Sequence, residues 1–238
     1  MLTAIILVAY YAYVRVVEKR RVSELSTQHA PRELGAGLQI GSLLLSLTIG
    51  ALALLGMYRV TGNNGWSALW APVPGFILAA VLEEVVMRAV LFRILEQSLG
   101  SWIALAVSAA LFGLLHLNNP GATGIDAACI MLECGVLLAA AYMLTRRLWL
   151  CVGMHFAWNF AQGGIFSAAV SGMKATGFLQ AQMTGTAWLT GGGFGAEASL
   201  VALLLCTIAG ILLLLAAARR DHIVQPFWSA GRSSGQAA

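Results

Sequence analysis

Seven apolar segments, each near the roughly 20 residues a helix needs to cross a bilayer, run Leu2–Val17, Leu34–Tyr58, Ala71–Leu95, Trp102–Leu117, Gly124–Leu144, Leu148–Val170 and Ala198–Ala218. A chain of 238 residues cannot hide that much apolar surface in a core of its own, so lipid has to cover the rest. Only 10% of the residues are charged and 59% are hydrophobic, against about 25% charged in ordinary soluble domains. Together with a mean hydropathy of +0.81, this excludes a disordered chain, a nucleic-acid-binding arm and a typical water-soluble enzyme. The pattern predicts an all-α polytopic membrane bundle of about seven transmembrane helices around an intramembrane polar cavity. We expect one integral membrane domain over 1–238, with a short cytoplasmic tail from 219 to 238.

Most connectors are brief and polar, such as Asn63-Asn64-Gly65 and Asn118-Asn119-Pro120-Gly121. Two are longer: Glu18 to Glu33, read as a charged connector or an interfacial helix, and the Gly-rich stretch Ser171 to Glu197. Arg15, Lys19, Arg20, Arg21, Arg32, Arg146, Arg147, Arg219, Arg220 and Arg232 alternate onto one face, leaving Arg59 and Lys174 for the other. An excess of basic residues marks the cytoplasmic side, so the expected N-terminus is external and the C-terminus cytoplasmic, in a cell inner or plasma membrane. Trp66, Trp70, Trp102 and Trp149 lie near segment ends and read as interfacial anchors. Cys129, Cys134, Cys151 and Cys206 sit inside apolar segments and read as small buried hydrophobes; Cys151, one turn before His155, also leaves a Cys/His metal pair open.

Ionisable side chains inside spanning helices cost roughly 2.5–3.5 kcal/mol each on insertion scales, and so mark function. The third segment carries Glu83, Glu84 and Arg88, the fourth ends at His116, the fifth holds Asp126 and Glu133, and the sixth holds His155 and Asn159. Glu84 and Arg88, four apart, share a helix face and form a favourable pair. Glu83 is rotated about 100° away, which frees it for chemistry. The alternative is one buried ion network in which all three only hold helices together. Glu83 and His116 fall at similar depth, while His155, seven residues after Leu148, falls nearer the cytoplasmic side. No carboxylate is evident behind either His except Glu133, which otherwise reads as a helix–helix hydrogen-bond partner. Asp126 reads as a residue at a helix start, where the macrodipole favours a carboxylate. One Glu with two His suits water activation, by the carboxylate itself or on a metal.

The three motifs Glu83-Glu84-x-x-x-Arg88, Phe112-x-x-x-His116 and His155-x-x-x-Asn159, in that order on separate apolar helices, resemble the signature of the CAAX protease and bacteriocin-processing family. These are intramembrane endopeptidases, often called Abi proteins in bacteria, and the resembling core covers about 75–166. Leu111-Phe112-Gly113-Leu114-Leu115-His116-Leu117, Thr145-Arg146-Arg147-Leu148-Trp149 and the run Gly193-Phe194-Gly195-Ala196-Glu197 resemble family surroundings as well. The resemblance implies that Glu83 activates the hydrolytic water, that His116 and His155 position it or stabilise the oxyanion, and that Asn159 is a further donor. Glu84 and Arg88 would be the supporting pair. It leaves two mechanisms open: a metalloprotease with Zn2+ at Glu83, His116 and His155, or a glutamate acting without metal. The zinc-protease pattern His-Glu-x-x-His is absent. The expected partners are the bilayer and a peptide or membrane-protein substrate, with no nucleic acid. A catalytically silent membrane scaffold or regulator is the alternative, followed by a small proton-coupled carrier, which would more often show an internal repeat.

Overall fold

The computed structural model describes residues 1–229, so Arg232 and the end of the expected tail lie outside the described residues. Helices occupy all seven expected segments. The helices are α1 (Leu2–Val16), α2 (Ala30–Leu54), α4 (Val73–Glu84), α5 (Arg93–Leu115), α6 (Gly124–Ile130), α7 (Val136–Thr145), α8 (Trp149–Asn159) and α10 (Leu200–Ala218) in those segments, with the short α3 (Trp66–Trp70) and α9 (Ala187–Thr190) in connectors. Among the described residues, three continuous helices are long and apolar enough to cross a membrane by themselves: Ala30–Leu54, Gly124–Thr145 and Leu200–Ala218. The chain is an all-α membrane helix bundle.

The helices that bear the motifs are less regular. π-Helical turns follow α4 at Val85–Phe92, α6 at Met131–Gly135 and α8 at Phe160–Ile165; such widened turns frequently occur at functional sites. Helix α5 is interrupted at Gly100 (φ 80°), a conformation that a residue without Cβ adopts at little cost. The break ends the third segment and starts the fourth. The start of α6 carries a capping box between Thr123 and Asp126, the role the macrodipole suggested for Asp126.

A two-stranded antiparallel sheet stands outside the helical pattern. Strands β1 (Tyr58–Asn63) and β2 (Leu179–Met183) pair from Tyr58 with Met183 to Asn63 with Leu179. They tie two connectors 115 or more residues apart, a contact that no local periodicity announces.

Opposite that sheet, the bundle closes with ion pairs. Glu18 receives Arg20 and Arg93, Glu24 receives Arg20 and Arg93, Glu96 receives Arg146, and Glu33 receives Arg147. Glu18 to Glu33 is a connector with one 3-10 turn, Ser23–Leu25, and α2 begins at Ala30. No interfacial helix forms, because these carboxylates and Arg20 fold inward onto the bundle.

Helix α2 packs most closely on α8. A Cβ on Gly37 would stand 2.8 Å from the Met154 nitrogen, and one on Gly41 would collide with the Met154 carbonyl. From the other side, a Cβ on Gly153 would stand 2.6 Å from Leu34 O. Gly37 and Gly41 are four apart, the small-residue spacing that lets membrane helices touch backbone to backbone. This contact fixes α8, and so His155. We expect Gly41→Ala to lower stability by about 1–3 kcal/mol, the range for overpacking a tight core. Gly50→Ala, where nothing lies within 4 Å, should not lower it. Thermal unfolding of the two variants in the same detergent checks this.

Candidate active site

Glu84 is fully buried, and its Oε1 accepts two hydrogen bonds, from Arg88 Nη1 at 3.1 Å and from His155 Nδ1 at 2.9 Å. Arg88 is 1% exposed; its other nitrogen donates to the Cys134 carbonyl at 2.9 Å, and its guanidinium lies 4.6 Å from the Phe112 ring centroid. The Glu84–Arg88 pair expected from the spacing therefore forms, and it does more than offset two charges. Glu84 stands behind His155 and sets its tautomer, since a carboxylate requires Nδ1 to carry the proton. Nε2 is left without a proton, on the side of Glu83.

Glu83 points elsewhere, as its rotation predicts. Its side chain is 37% exposed, and its Oε2 lies 3.9 Å from His155 Nε2. That is too long for a direct hydrogen bond and is a separation at which a bridging water has to be considered. The expected depth mismatch of His155 is overturned. Leu148 is itself buried, its N–H donating to the carbonyl of buried Glu24, so α8 starts beneath the ion-paired end rather than at its surface. The expectation that Glu133 backs a His, or bonds between helices, is overturned too. Glu133 is fully buried and neither oxygen has a partner, and Glu84 is the carboxylate behind His155.

His116 lies at the end of α5, its Nδ1 donating to the Phe112 carbonyl at 2.7 Å. Glu83, His116, His155 and Asn159 all line one cavity of about 820 Å³. Its other walls are largely apolar, from α4 (Phe76, Leu82) and from Val170, Met173 and Ala175, while Ser171, Lys174 and Thr176 of the same segment add polar groups. Cys151 takes no part, since its thiol donates to the Leu138 carbonyl at 3.3 Å. All four cysteines are free thiols.

The residues do not form a metal cage as they stand. A tetrahedral zinc with ligands at about 2.0–2.1 Å holds neighbouring donors about 3.3 Å apart, whereas Glu83 and His155 are 3.9 Å apart. Among the described residues no group of three His, Cys, Asp or Glu converges on a common point.

Several residues of the site carry no sequence signal of the motif kind. Lys174 lines the cavity rim. Glu197, 2% exposed in the connector before α10, accepts from the Ser171 N–H and from Gln162 Nε2. Burial pushes its carboxyl up to about 7, against those hydrogen bonds. An apolar chain with one Glu in a Gly-rich loop offers a hint of this, but the partners are 26 and 35 residues away.

Replacing Glu84 by Gln should leave Arg88 buried without its counter-charge, a change that commonly costs 3–5 kcal/mol. Glu83→Gln should leave stability nearly unchanged, because Glu83 is partly exposed and bears no ion pair to Arg88. Melting temperatures of the two variants test the assignment; a destabilised Glu83→Gln beside a normal Glu84→Gln would reverse it.

Compared with known proteins, residues 64–161 match the family model described as type II CAAX prenyl endopeptidase Rce1-like. No curated protein and no solved structure matches the chain. The matched stretch holds Glu83, Glu84, Arg88, Phe112, His116, His155 and Asn159, the residues whose side chains surround the cavity or support it. Over residues 64–161 the chain is thus similar to the Rce1-like domain, which matches the CAAX protease and bacteriocin-processing family.

Proposed function

We propose that this cavity hydrolyses a peptide bond within the membrane by glutamate-activated water, without a metal. The observation that carries this is the arrangement Glu83–His155–Glu84: a free carboxylate facing His155 Nε2 across 3.9 Å, with a second carboxylate fixing the far side of the ring. Glu83 Oε2 and the unprotonated Nε2 are both acceptors. A water between them donates one hydrogen to each and keeps a lone pair for the scissile carbonyl. Glu83 takes the proton as the water attacks, and the protonated carboxyl then delivers it to the leaving amine. The carbonyl oxygen becomes an oxyanion that needs preorganised donors. Asn159 Nδ2 is a neutral donor beside His155 in the cavity, and His116 donates from Nε2 when protonated.

The substrate is a peptide or membrane protein whose apolar stretch lies against the apolar walls of the cavity. Topology belongs to the same reading: a single domain over 1–238, N-terminus external and C-terminus cytoplasmic, with the ion-paired end at the cytoplasm. The clustering of Arg20, Arg93, Arg146 and Arg147 in ion pairs at one end of the bundle supports it. A reporter fused after Ser229 should read cytoplasmic and one before Leu2 external; both on one side would mean a miscounted span.

Glu83→Gln keeps the shape and removes the base. Cleavage should fall by roughly 10²–10⁴-fold with the protein folded, as read by membrane proteomics of wild type against the variant for peptides that depend on the carboxylate. Elemental analysis of active, detergent-purified protein tests the metal-free step. We expect no stoichiometric zinc, and activity that survives chelation. Zinc at one per chain, lost together with activity in His116→Ala, would overturn it.

A further inference from the structure

The Gly-rich connector before α10 is absorbed neither by the motifs nor by the proposed reaction, yet its first residues line the cavity and its last, Glu197, holds them. The segment Ser171–Thr176 forms a roof, with Ser171, Met173, Lys174, Ala175 and Thr176 all lining the cavity. Besides the Val170–Met173 bridge at its start, backbone hydrogen bonds hold the roof within and just after it: the Gly172 N–H donates to Phe194 O at 2.7 Å, and the Phe178 N–H to Gly164 O at 2.7 Å. Among the described residues, the only ionisable group that holds it is Glu197. Its two oxygens divide their work, Oε1 accepting from the Ser171 N–H and Oε2 from Gln162 Nε2.

The geometry around this carboxylate is restrictive. Ser171 sits at φ 49°, a left-handed conformation that a non-glycine residue keeps only where its surroundings impose it. Gly195 has φ 134°, and a Cβ there would stand 2.7 Å from Gln162 Nε2, so the loop comes in close only because that residue is glycine. Phe194, in the same loop, packs with Met87 and Phe112, both of which line the cavity. Gln162 is one turn beyond Asn159 on the helix that bears His155. The carboxylate therefore joins the roof to the helix that carries the catalytic groups. Glu133 on the fifth span is the other carboxylate set against it, and no basic side chain pairs with Glu197.

We propose that Glu197 is a positioning residue, which holds the roof Ser171–Thr176 over the substrate cavity by binding Ser171 and Gln162 at once. It does not touch the reacting atoms. The inference rests on the proposed site only in taking the cavity as the place where substrate binds.

Hydrogen–deuterium exchange of the full chain in lipid nanodiscs at pH 8 tests it without any cleavage. In Glu197→Ala the amides of 170–177 should exchange about tenfold faster or more, the effect of losing a hydrogen bond to a charged group on local opening. Peptides from Trp149–Asn159 and Leu200–Ala218 should keep their rates. Glu197→Gln retains an oxygen for Ser171 but turns an amide toward that of Gln162, so it should fall between wild type and Glu197→Ala. With a reporter peptide that wild type cleaves, Glu197→Gln should raise KM severalfold and leave kcat within about twofold, whereas Glu83→Gln removes kcat. Unchanged roof exchange in both Glu197 variants would overturn the proposal, as would acceleration spread evenly over the whole chain or a loss confined to kcat. Failure to find any cleaved peptide would count against the protease reading and leave the exchange result to decide this one.

Discussion

A carboxylate with no access to water governs this structure. Isolated, buried Glu84 would be prohibitively costly in an apolar bundle; shared between Arg88 on its own span and His155 on α8, it becomes the point where the third and sixth spans are tied together. Arg88 extends that tie to the carbonyl groups of Cys134 and Gly135, groups available because the fifth span widens into a π-turn there. Phe112 covers the guanidinium from α5. A single charge pair thus organises spans three, four, five and six around the cavity, and Glu83 stays outside the pair because it lies one residue along the helix.

Close packing does the rest of the positioning. Lipid tails are as apolar as leucine, so membrane helices associate through backbone proximity and polar contacts rather than through exclusion of water. Gly37, Gly41 and Gly153 let α2 and α8 meet at contact distances that a methyl group would forbid. The ion pairs of Glu18, Glu24, Glu33 and Glu96 close the opposite end of the bundle from the sheet. Both devices act on α8, one along its length and one at its start, which is how His155 reaches the depth of Glu83.

Much of this was legible from residue order. Seven apolar segments predict seven helices because hydrogen-bond satisfaction in lipid leaves the chain little else to do. The i, i+4 spacing of Glu84 and Arg88 predicts their pair, and the offset of Glu83 predicts its freedom. The reading failed at His155 because it measured depth by counting residues from apolar boundaries, and at Glu133 because which groups a buried carboxylate meets is set by packing. Leu148 begins its helix under Glu24 instead of at the edge, and a residue count does not register that. The Gly37/Gly41 spacing was visible in the chain, but which helix it faces was not.

The sequence alone determined the class of the fold, the separation of Glu83 from Glu84, and the set of polar residues that lipid would not tolerate without a purpose. Periodicity and hydropathy are local properties, so each can be read within one segment. Only the tertiary structure decided that Glu84 backs His155, that Glu83 and His155 face each other across 3.9 Å, and that Glu197 reaches Ser171 and Gln162. Those contacts join residues 26 to 72 positions apart, and their geometry depends on how helices tilt, widen and touch, which is settled by packing and not by spacing along the chain.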